Sequence, residues 1–282
     1  MLKVLKSGFY SSVQDKGRFG YRAYGVPRSG AMDAYSADFA NALLGNDASA
    51  AVIEMTMVGG KFQFLESTFI VISGADMSPA INGNAVKQNT IIPINANTVV
   101  DFGNALLGFR TYVAIKGGFR SELVLESRSQ YNEITTSAKL CKGDVIKYMP
   151  FARSYNAANA VVKYNKTIWT LNIIEVYQGP EFNWLSDVQK NQLFTTEFKV
   201  SKLNSRMAYQ LTPLLKNDLK PIITSPVLPG TVQLTPSGTL IVLMRDCQTT
   251  GGYPRILQLT ENAINSLGQK TIENSINLRL IE

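Results

Sequence analysis

Hydrophobic and polar residues alternate along most of this chain, in short runs that glycine, asparagine and proline interrupt. Period-two alternation with β-branched and aromatic side chains predicts strands, and it recurs at residues 52–57, 61–64, 68–73, 98–102, 111–116 and 145–148. Asn82–Gly83 suits a tight hairpin, because both central residues of such a turn accept a positive φ. The pattern therefore predicts a mainly β fold, closed or sandwiched, with a few helices.

Helical periodicity is confined to three segments. The clearest covers residues 34–44, where Asp33 can cap the start and Gly45–Asn46 the end. A second helix is predicted over about 184–194 and a third over 261–267.

The segment 151–165 consists largely of small and polar residues, and it separates two stretches with similar patterns of hydrophobic and polar positions. Each stretch contains strands, one main helix, more strands and a late β-run, at 143–148 in the first and 275–280 in the second. A diverged duplication of one barrel-like unit would explain this repetition. We therefore predict an N-terminal subdomain at 1–150, a linker at 151–165 and a C-terminal subdomain at 166–282.

The composition narrows the possible chemistry, because the 282 residues include no histidine. This chain alone therefore cannot build a Ser-His-Asp triad, a Cys-His pair or a zinc site that needs imidazole. Lys and Arg number 28 against 21 Asp and Glu, and the net charge of +7 attracts anions in general. The basic residues are scattered singly, so we predict no nucleic-acid surface.

Cys141 and Cys247 are the only cysteines, and no CxxC motif is present, so two reduced thiols are predicted rather than a disulfide. No hydrophobic run of signal-peptide length occurs at the N-terminus, and the longest apolar runs, 69–72 and 240–244, are too short to span a bilayer. We predict a cytoplasmic protein that does not insert into a membrane.

A first candidate ligand segment is the glycine-rich loop 15–33, which ends at a predicted helix N-terminus. Free backbone amides and the positive end of the helix dipole could hold a carboxylate or phosphate there, with an arginine adding charge. The residues that we expect to bind are Arg18, Ser29 and Asp33. The alternative is a plain connection in which Asp33 only caps the helix.

A second candidate is the segment 243–254, where an apolar strand ends abruptly in polar residues and two glycines. Hydroxyls and glycine amides can form an anion-binding concavity, and Asp246 could orient or deprotonate a polar substrate group. The binding residues predicted beside Asp246 are Gln248, Thr249, Thr250, Gly251 and Gly252. The alternative is a tight turn in which Asp246 pairs with Arg245 or another surface arginine.

A third candidate combines Arg206, which could clamp an anion with two hydrogen bonds, with Gln233, which could present an amide. Arg206 could equally hold its loop by bonding backbone carbonyls, and Arg128 has the same two interpretations. No Walker-type GxxxxGK[ST] or GxGxxG motif occurs. An ATP site, if used, is therefore expected to be shared with a partner, and no metal ligands are predicted in this chain.

At these same residues the sequence resembles the biotin-dependent carboxyltransferase or allophanate hydrolase subunit 2 family. The matching stretches are spread from residue 13 to residue 254 and read VQDKGRFGYRAYGVPRSGAMD, ALLGND, ISGADM, YVAIKGGF, SRS, NSRMAY, SPVLPGTVQL and VLMRDCQTTGGYP. The combination is specific to the family, although no single piece is.

The resemblance implies two cyclophilin-like β-barrel subdomains. It also implies a role in a complex, because family members include one component of the ATP-dependent 5-oxoprolinase. That component works with two further proteins, a cyclophilin-like B-type partner and an A-type partner. The complex opens the small molecule 5-oxo-L-proline to L-glutamate, using ATP and, by implication, Mg²⁺. Such a step relies mainly on alignment and charge stabilisation, which needs no histidine.

The same family pattern is fused into urea carboxylase, where the corresponding region takes a carboxyl group from biotin. That alternative would make this chain a carboxyltransferase component, and it would need a biotin carboxylase and a biotinyl carrier. A third possibility is a non-catalytic regulatory binding protein within such a complex. The resemblance implies Asp246 as the substrate-facing catalytic carboxylate, while Ala23 and Glu126 depart from the family's usual histidine and glycine.

Overall fold

The computed structural model describes residues 1–151 and 163–281. The chain forms two compact units, one of residues 1–17 with 29–166 and one of residues 18–28 with 167–282. Residues 18–28, which precede the predicted boundary, thus pack within the second unit. Most of the predicted linker, at 152–162, lies outside the described residues.

The first unit contains eleven strands and one helix in its described part. Their bounds are β1 Leu2–Lys6, β2 Tyr10–Gln14, α1 Ala34–Leu43, β3 Val52–Thr56, β4 Lys61–Phe64, β5 Thr68–Asp76, β6 Ala80–Ile81, β7 Asn84–Ala85, β8 Ile92–Ile94, β9 Thr98–Asp101, β10 Leu107–Ile115 and β11 Val145–Ile146. They form a six-stranded sheet in the order β11-β1-β4-β9-β6-β7 and a five-stranded sheet in the order β2-β3-β10-β5-β8.

The two sheets of the first unit share one apolar core, to which each contributes alternate side chains. The five-stranded sheet is also covered on its other face, where α1 packs on Val52, Val71 and Tyr112. Because both faces are covered, β5 and β10 are apolar over most of their length instead of alternating with polar residues.

The second unit contains nine strands and three helices among its described residues. Their bounds are α2 Thr167–Thr170, β12 Ile173–Gln178, α3 Asp187–Thr195, β13 Phe198–Asn204, β14 Ala208–Thr212, β15 Ser225–Pro226, β16 Thr231–Leu234, β17 Leu240–Leu243, β18 Thr250–Gly251, β19 Arg255–Leu259, α4 Glu261–Gly268 and β20 Ser275–Leu280. Seven strands close a barrel in the order β12-β19-β16-β17-β14-β13-β20, and β15 pairs with β18 outside it.

The predicted fold class is confirmed, since the chain is mainly β with few helices and its second unit closes into a barrel. All three predicted helices form. The second begins at Asp187 rather than near 184, because Ser186 caps it through a reciprocal pair of hydrogen bonds with Gln189. Over residues 1–151 and 163–281, no helix is long and apolar enough to cross a membrane.

Candidate functional site

The segment 244–254, which connects β17 to β19, contains most of the predicted ligand residues of the second unit. We call this segment the hairpin because the chain turns back within it. The chain turns at Met244–Cys247, runs through Gln248 and Thr249, and returns as β18. β18 pairs with β15, with Gly251 opposite Ser225. Thr250 and Gly251 therefore lie in a short strand outside the barrel, and the apolar strand ends before the polar segment, as the sequence predicted.

Gln233 on β16 lies directly beneath the returning strand. Its amide is buried and donates to the carbonyl oxygen of Tyr253 at 3.4 Å. A Cβ added to Gly251 would lie 2.4 Å from the Gln233 Nε2, so the Gln233 amide could keep its present position only beside a glycine. The structure therefore brings together two residues that the sequence named in separate motifs.

Asp246 pairs with Arg206, which lies in the turn before β14. The Arg206 Nε donates to Oδ2 at 2.7 Å and Nη2 donates to Oδ1 at 3.0 Å, in the two-point geometry that suits a guanidinium and a carboxylate. The two side chains are only 7% and 9% exposed. The backbone N–H of Asp246 also donates to the carbonyl of Arg206, so the pair ties the two turns together.

This geometry corresponds to the alternative in which Asp246 pairs with an arginine, although the partner is the buried Arg206 and not Arg245 or a surface arginine. Arg245 instead bonds Glu261 at 2.5 Å and Asn265 at 2.9 Å. A catalytic role for Asp246 remains a prediction. What the structure shows is a carboxylate that positions the hairpin.

The loop 18–28 reaches the same hairpin through Arg22. The Arg22 Nη2 donates to the carbonyl oxygen of Val227 and lies 3.4 Å from the carbonyl oxygens of Gln248 and Thr249. Arg18, also predicted as a ligand residue, is 1% exposed, and its backbone N–H closes the loop on the carbonyl of Arg28 at 2.6 Å. The loop is therefore part of the candidate site in the second unit.

Cys247 lies within the hairpin and is buried. Burial raises the pKa of its thiol to about 11, while the neighbouring Arg22 guanidinium acts in the opposite direction. The thiol is therefore protonated at neutral pH and unsuited to nucleophilic chemistry.

The sequence analysis missed a second ion pair beside the hairpin, between Glu181 and Arg255. Arg255 donates to both carboxylate oxygens, at 3.0 and 2.8 Å, and its Nη1 donates to the carbonyl of Pro226. The hydrogen bonds from Arg255 lower the pKa of Glu181 below its usual range. No local signal could have revealed the pair, because its members are 74 residues apart in the chain.

Arg128, a predicted residue of the first unit, lies in a motif whose hydrogen bonds are structural. Asp15 accepts hydrogen bonds from the hydroxyls of Ser127 and Ser129, at 2.6 and 2.7 Å, and from the backbone N–H of Arg128. The Arg128 guanidinium donates to the carbonyl of Ser121. The SRS motif thus holds Asp15, and Arg128 bonds a carbonyl, as its alternative interpretation stated.

Asp33 and Ser29 lie at the start of α1 in the first unit. Asp33 is fully buried and caps the helix by accepting from the backbone N–H of Ser36 at 3.0 Å. Its own N–H donates to the Tyr112 hydroxyl. Ser29 has a φ of 57°, and its buried hydroxyl finds no partner among the residues described. Asp33 therefore has the capping role that the sequence left open, and a ligand role for either residue remains a prediction.

The remaining predicted residues lie at the surface of the hairpin or just below it. Thr249 and Gly252 are partly exposed, and Thr250 is exposed. Gln248 has a buried Oε1 for which the described part of the chain offers no donor. In those same ranges, no three residues among His, Cys, Asp and Glu form a cluster that could hold a metal ion.

Comparison with known families identifies the chain. The family model described as "Carboxyltransferase domain, subdomain A and B" matches residues 24–280. The chain belongs to this carboxyltransferase family. This carboxyltransferase chain is 30% identical over 274 residues to the C subunit of 5-oxoprolinase from Escherichia coli (strain K12), covering 95% of the chain and 87% of that relative. It is 26% identical to the C subunit of 5-oxoprolinase from Haemophilus influenzae, covering 100% of the chain and 91% of the relative.

Solved structures show the same carboxyltransferase fold. The Kluyveromyces lactis urea carboxylase matches with a TM-score of 0.88 and 26% identity, over 100% of this chain and 27% of that one. The structure of TTHA0988 matches with a TM-score of 0.88 and 25% identity, over 99% of this chain and 55% of that one. This chain therefore spans about half of TTHA0988 and about a quarter of the urea carboxylase.

Proposed function

We propose that this chain is the C-type component of an ATP-dependent 5-oxoprolinase, which opens 5-oxo-L-proline to L-glutamate together with a B-type and an A-type partner. One observation carries the proposal: both 5-oxoprolinase relatives, each named as the C component of its enzyme, align over 95% or more of this chain and over most of their own length. The hairpin of the second unit is the part of the chain to which we assign substrate contact.

The arrangement suits a positioning role. Two ion pairs, Arg206–Asp246 and Glu181–Arg255, hold the two sides of the hairpin, and Gln233 supports it from below. Hydrogen bonds from charged groups are the stronger kind, and they fix the peptide groups and hydroxyls of the hairpin before a ligand arrives. In the proposed reaction, these fixed groups would hold the ring amide of 5-oxo-L-proline in the one orientation that can react.

A second candidate function is the carboxyltransferase component of a biotin-dependent urea-type carboxylase. The observation that favours it is a local identity of 41% over 130 residues to the urea amidolyase of Lachancea kluyveri. That match covers 46% of this chain and 7% of the relative. This sequence match covers less than half of the chain, and the structural match to a urea carboxylase covers only 27% of that protein, so we place this function second.

Reconstitution separates the two candidates. The purified chain is combined with candidate B-type and A-type partners, and glutamate release from 5-oxoproline and ATP is followed. We expect turnover only with all three proteins. If the complex releases no glutamate but carboxylates urea when a carboxylated biotin carrier is supplied, the second function replaces the first.

A variant pair tests whether the hairpin takes part. Gly251→Ala would place its Cβ 2.4 Å from the Gln233 Nε2 and displace that amide, so we expect a loss of about tenfold or more in kcat/KM. Gly252→Ala, whose Cβ would come no closer than 3.6 Å to the Ile222 carbonyl, alters the hairpin without moving Gln233 and should lose less. Equal activity of Gly251→Ala and the unaltered complex would remove the hairpin from the proposed site.

A further inference from the structure

Three arginines of the second unit carry more positive charge than their surroundings balance. We name Arg22, Arg28 and Arg245 the arginine cluster. Burial lowers the pKa of Arg28, and the charges of Arg245 and Arg22 lower it further, whereas Glu261 acts in the opposite direction. Arg28 is therefore close enough to Arg22 and Arg245 for their positive charges to repel it, and close enough to Glu261 for that carboxylate to attract it.

Each member of the cluster also has a buried nitrogen without an acceptor. The Nη1 of Arg22 and the Nε atoms of Arg28 and Arg245 are shielded from solvent, and within residues 1–151 and 163–281 none of them meets a hydrogen-bond partner. Leaving a charged donor buried and unpaired is costly, and such groups in folded proteins are normally satisfied. Three such donors in one cluster indicate that an acceptor from outside the chain completes it.

The cluster is both held in place and accessible. The Arg22 Nη2 is fixed by the Val227 carbonyl, and Arg245 is fixed by Glu261 and Asn265. The guanidinium of Arg28 stacks on the ring of Phe19, with 4.3 Å between its carbon and the ring centroid. Arg22 and Arg28 are partly exposed, whereas Arg245 is buried, so the first two connect the cluster to solvent. A stacked guanidinium keeps its edge available for planar recognition of an oxyanion.

Charge selects the kind of anion. Three guanidiniums and the Glu261 carboxylate leave two positive charges, and the neighbouring Arg206–Asp246 pair adds none. A doubly charged oxyanion would neutralise the cluster, whereas a single carboxylate would leave it positive. Arginine is also the side chain whose geometry best matches phosphate oxygens.

We propose that the arginine cluster is a binding site for a phosphate dianion, supplied either as free phosphate or as the terminal phosphoryl group of a nucleotide. The site is inferred from burial, hydrogen bonding and charge in the second unit, and it goes beyond the proposed 5-oxoprolinase role. Binding by the chain alone would persist even if that role were wrong.

Titration calorimetry on the full 282-residue chain tests the site with inorganic phosphate, ATP and acetate at constant ionic strength. We expect saturable phosphate binding that Arg28→Gln weakens by about tenfold or more, because a charge-assisted hydrogen bond is lost. Arg279→Gln is the matched control: it removes the same charge from an exposed ion pair elsewhere in the unit, and phosphate binding should stay within about twofold. If ATP binds more tightly than phosphate and Arg28→Gln weakens both to the same extent, the phosphate group is supplied by a nucleotide. If the two affinities are equal, the ligand is free phosphate.

Arg28→Lys keeps the positive charge but loses the planar edge, so it should also weaken binding, and it serves if Arg28→Gln fails to fold. The proposal is overturned if phosphate shows no saturable binding, if both Arg28 variants bind as the unaltered chain does, or if acetate binds as tightly as phosphate. Because no turnover is measured, these results are independent of the glutamate assay.

Discussion

Replacing Asp246 with alanine tests the buried pair on which the hairpin depends. The substitution would leave the Arg206 guanidinium, 7% exposed, without the carboxylate that now accepts hydrogen bonds at 2.7 and 3.0 Å. Removing one partner of a buried ion pair typically costs about 3–5 kcal/mol, mostly as the cost of an uncompensated buried charge. We therefore expect the free energy of unfolding of the second unit to fall by about that amount.

The chain offers a selective optical probe for this measurement. Its two tryptophans, Trp169 and Trp184, both belong to the second unit. Urea titration followed by tryptophan fluorescence therefore reports on that unit, and a loss of this size should also lower its Tm by about 10–20 °C. Combining Asp246→Ala with Arg206→Ala should cost less than the two single changes together, because the double variant removes both charges of the pair.

An exposed pair in the same unit supplies the comparison. Arg279 donates to Glu175 at 2.5 Å, but the two side chains are 58% and 35% exposed. Glu175→Ala should therefore cost no more than about 1 kcal/mol. If Asp246→Ala costs as little as Glu175→Ala, or if the losses at Asp246 and Arg206 simply add, the pair does not hold the hairpin and our reasoning is refuted.

Two further predictions test packing in the first unit and thiol chemistry in the hairpin. Gly59→Ala would place a Cβ 2.2 Å from the Cβ of Phe102 and should lower the free energy of unfolding by about 3 kcal/mol, measured by urea unfolding with circular dichroism. Gly103→Ala, whose Cβ would have no atom nearer than 3.6 Å, should be close to neutral. Equal effects of the two changes would contradict the packing at Gly59. At pH 8 a disulfide reagent should label exposed Cys141 rapidly, but Cys247, whose pKa is raised to about 11 chiefly by burial, should react only after unfolding, since about one thiol in a thousand is ionised. Labelling of Cys247 at the rate of Cys141 in the folded chain would contradict that burial.

Much of the fold could be predicted because its signals are local. The Asp33 cap involves a residue only three positions away, and the capping bonds between Ser186 and Gln189 span the same distance. Strands also form at all six segments predicted from alternation, a pattern that follows from the pleat. Even so, the sequence could not show that β5 is covered on both faces, because that depends on where α1 packs.

The candidate site was predictable only in part. The sequence placed the end of an apolar strand near residue 243, and β17 does end at Leu243 before a turn at Met244–Cys247. The sequence left open which arginine would meet Asp246, and it assigned the loop 18–28 to the other half of the chain. The structure answers both questions, with Arg206 bonded to Asp246 and Arg22 bonded to a carbonyl 205 residues later.

The sequence by itself determined the mainly β fold, the principal helices, the absence of imidazole chemistry and the polar turn after an apolar strand. Each of these follows from composition or from neighbours a few residues apart. Tertiary structure alone decided that Gln233 lies under Gly251, that Asp246 is buried against Arg206, and that Arg28 lies near Arg22, Arg245 and Glu261. Barrel closure brings together side chains that are distant in the chain, and charge balance and burial depend on that closure rather than on sequence spacing.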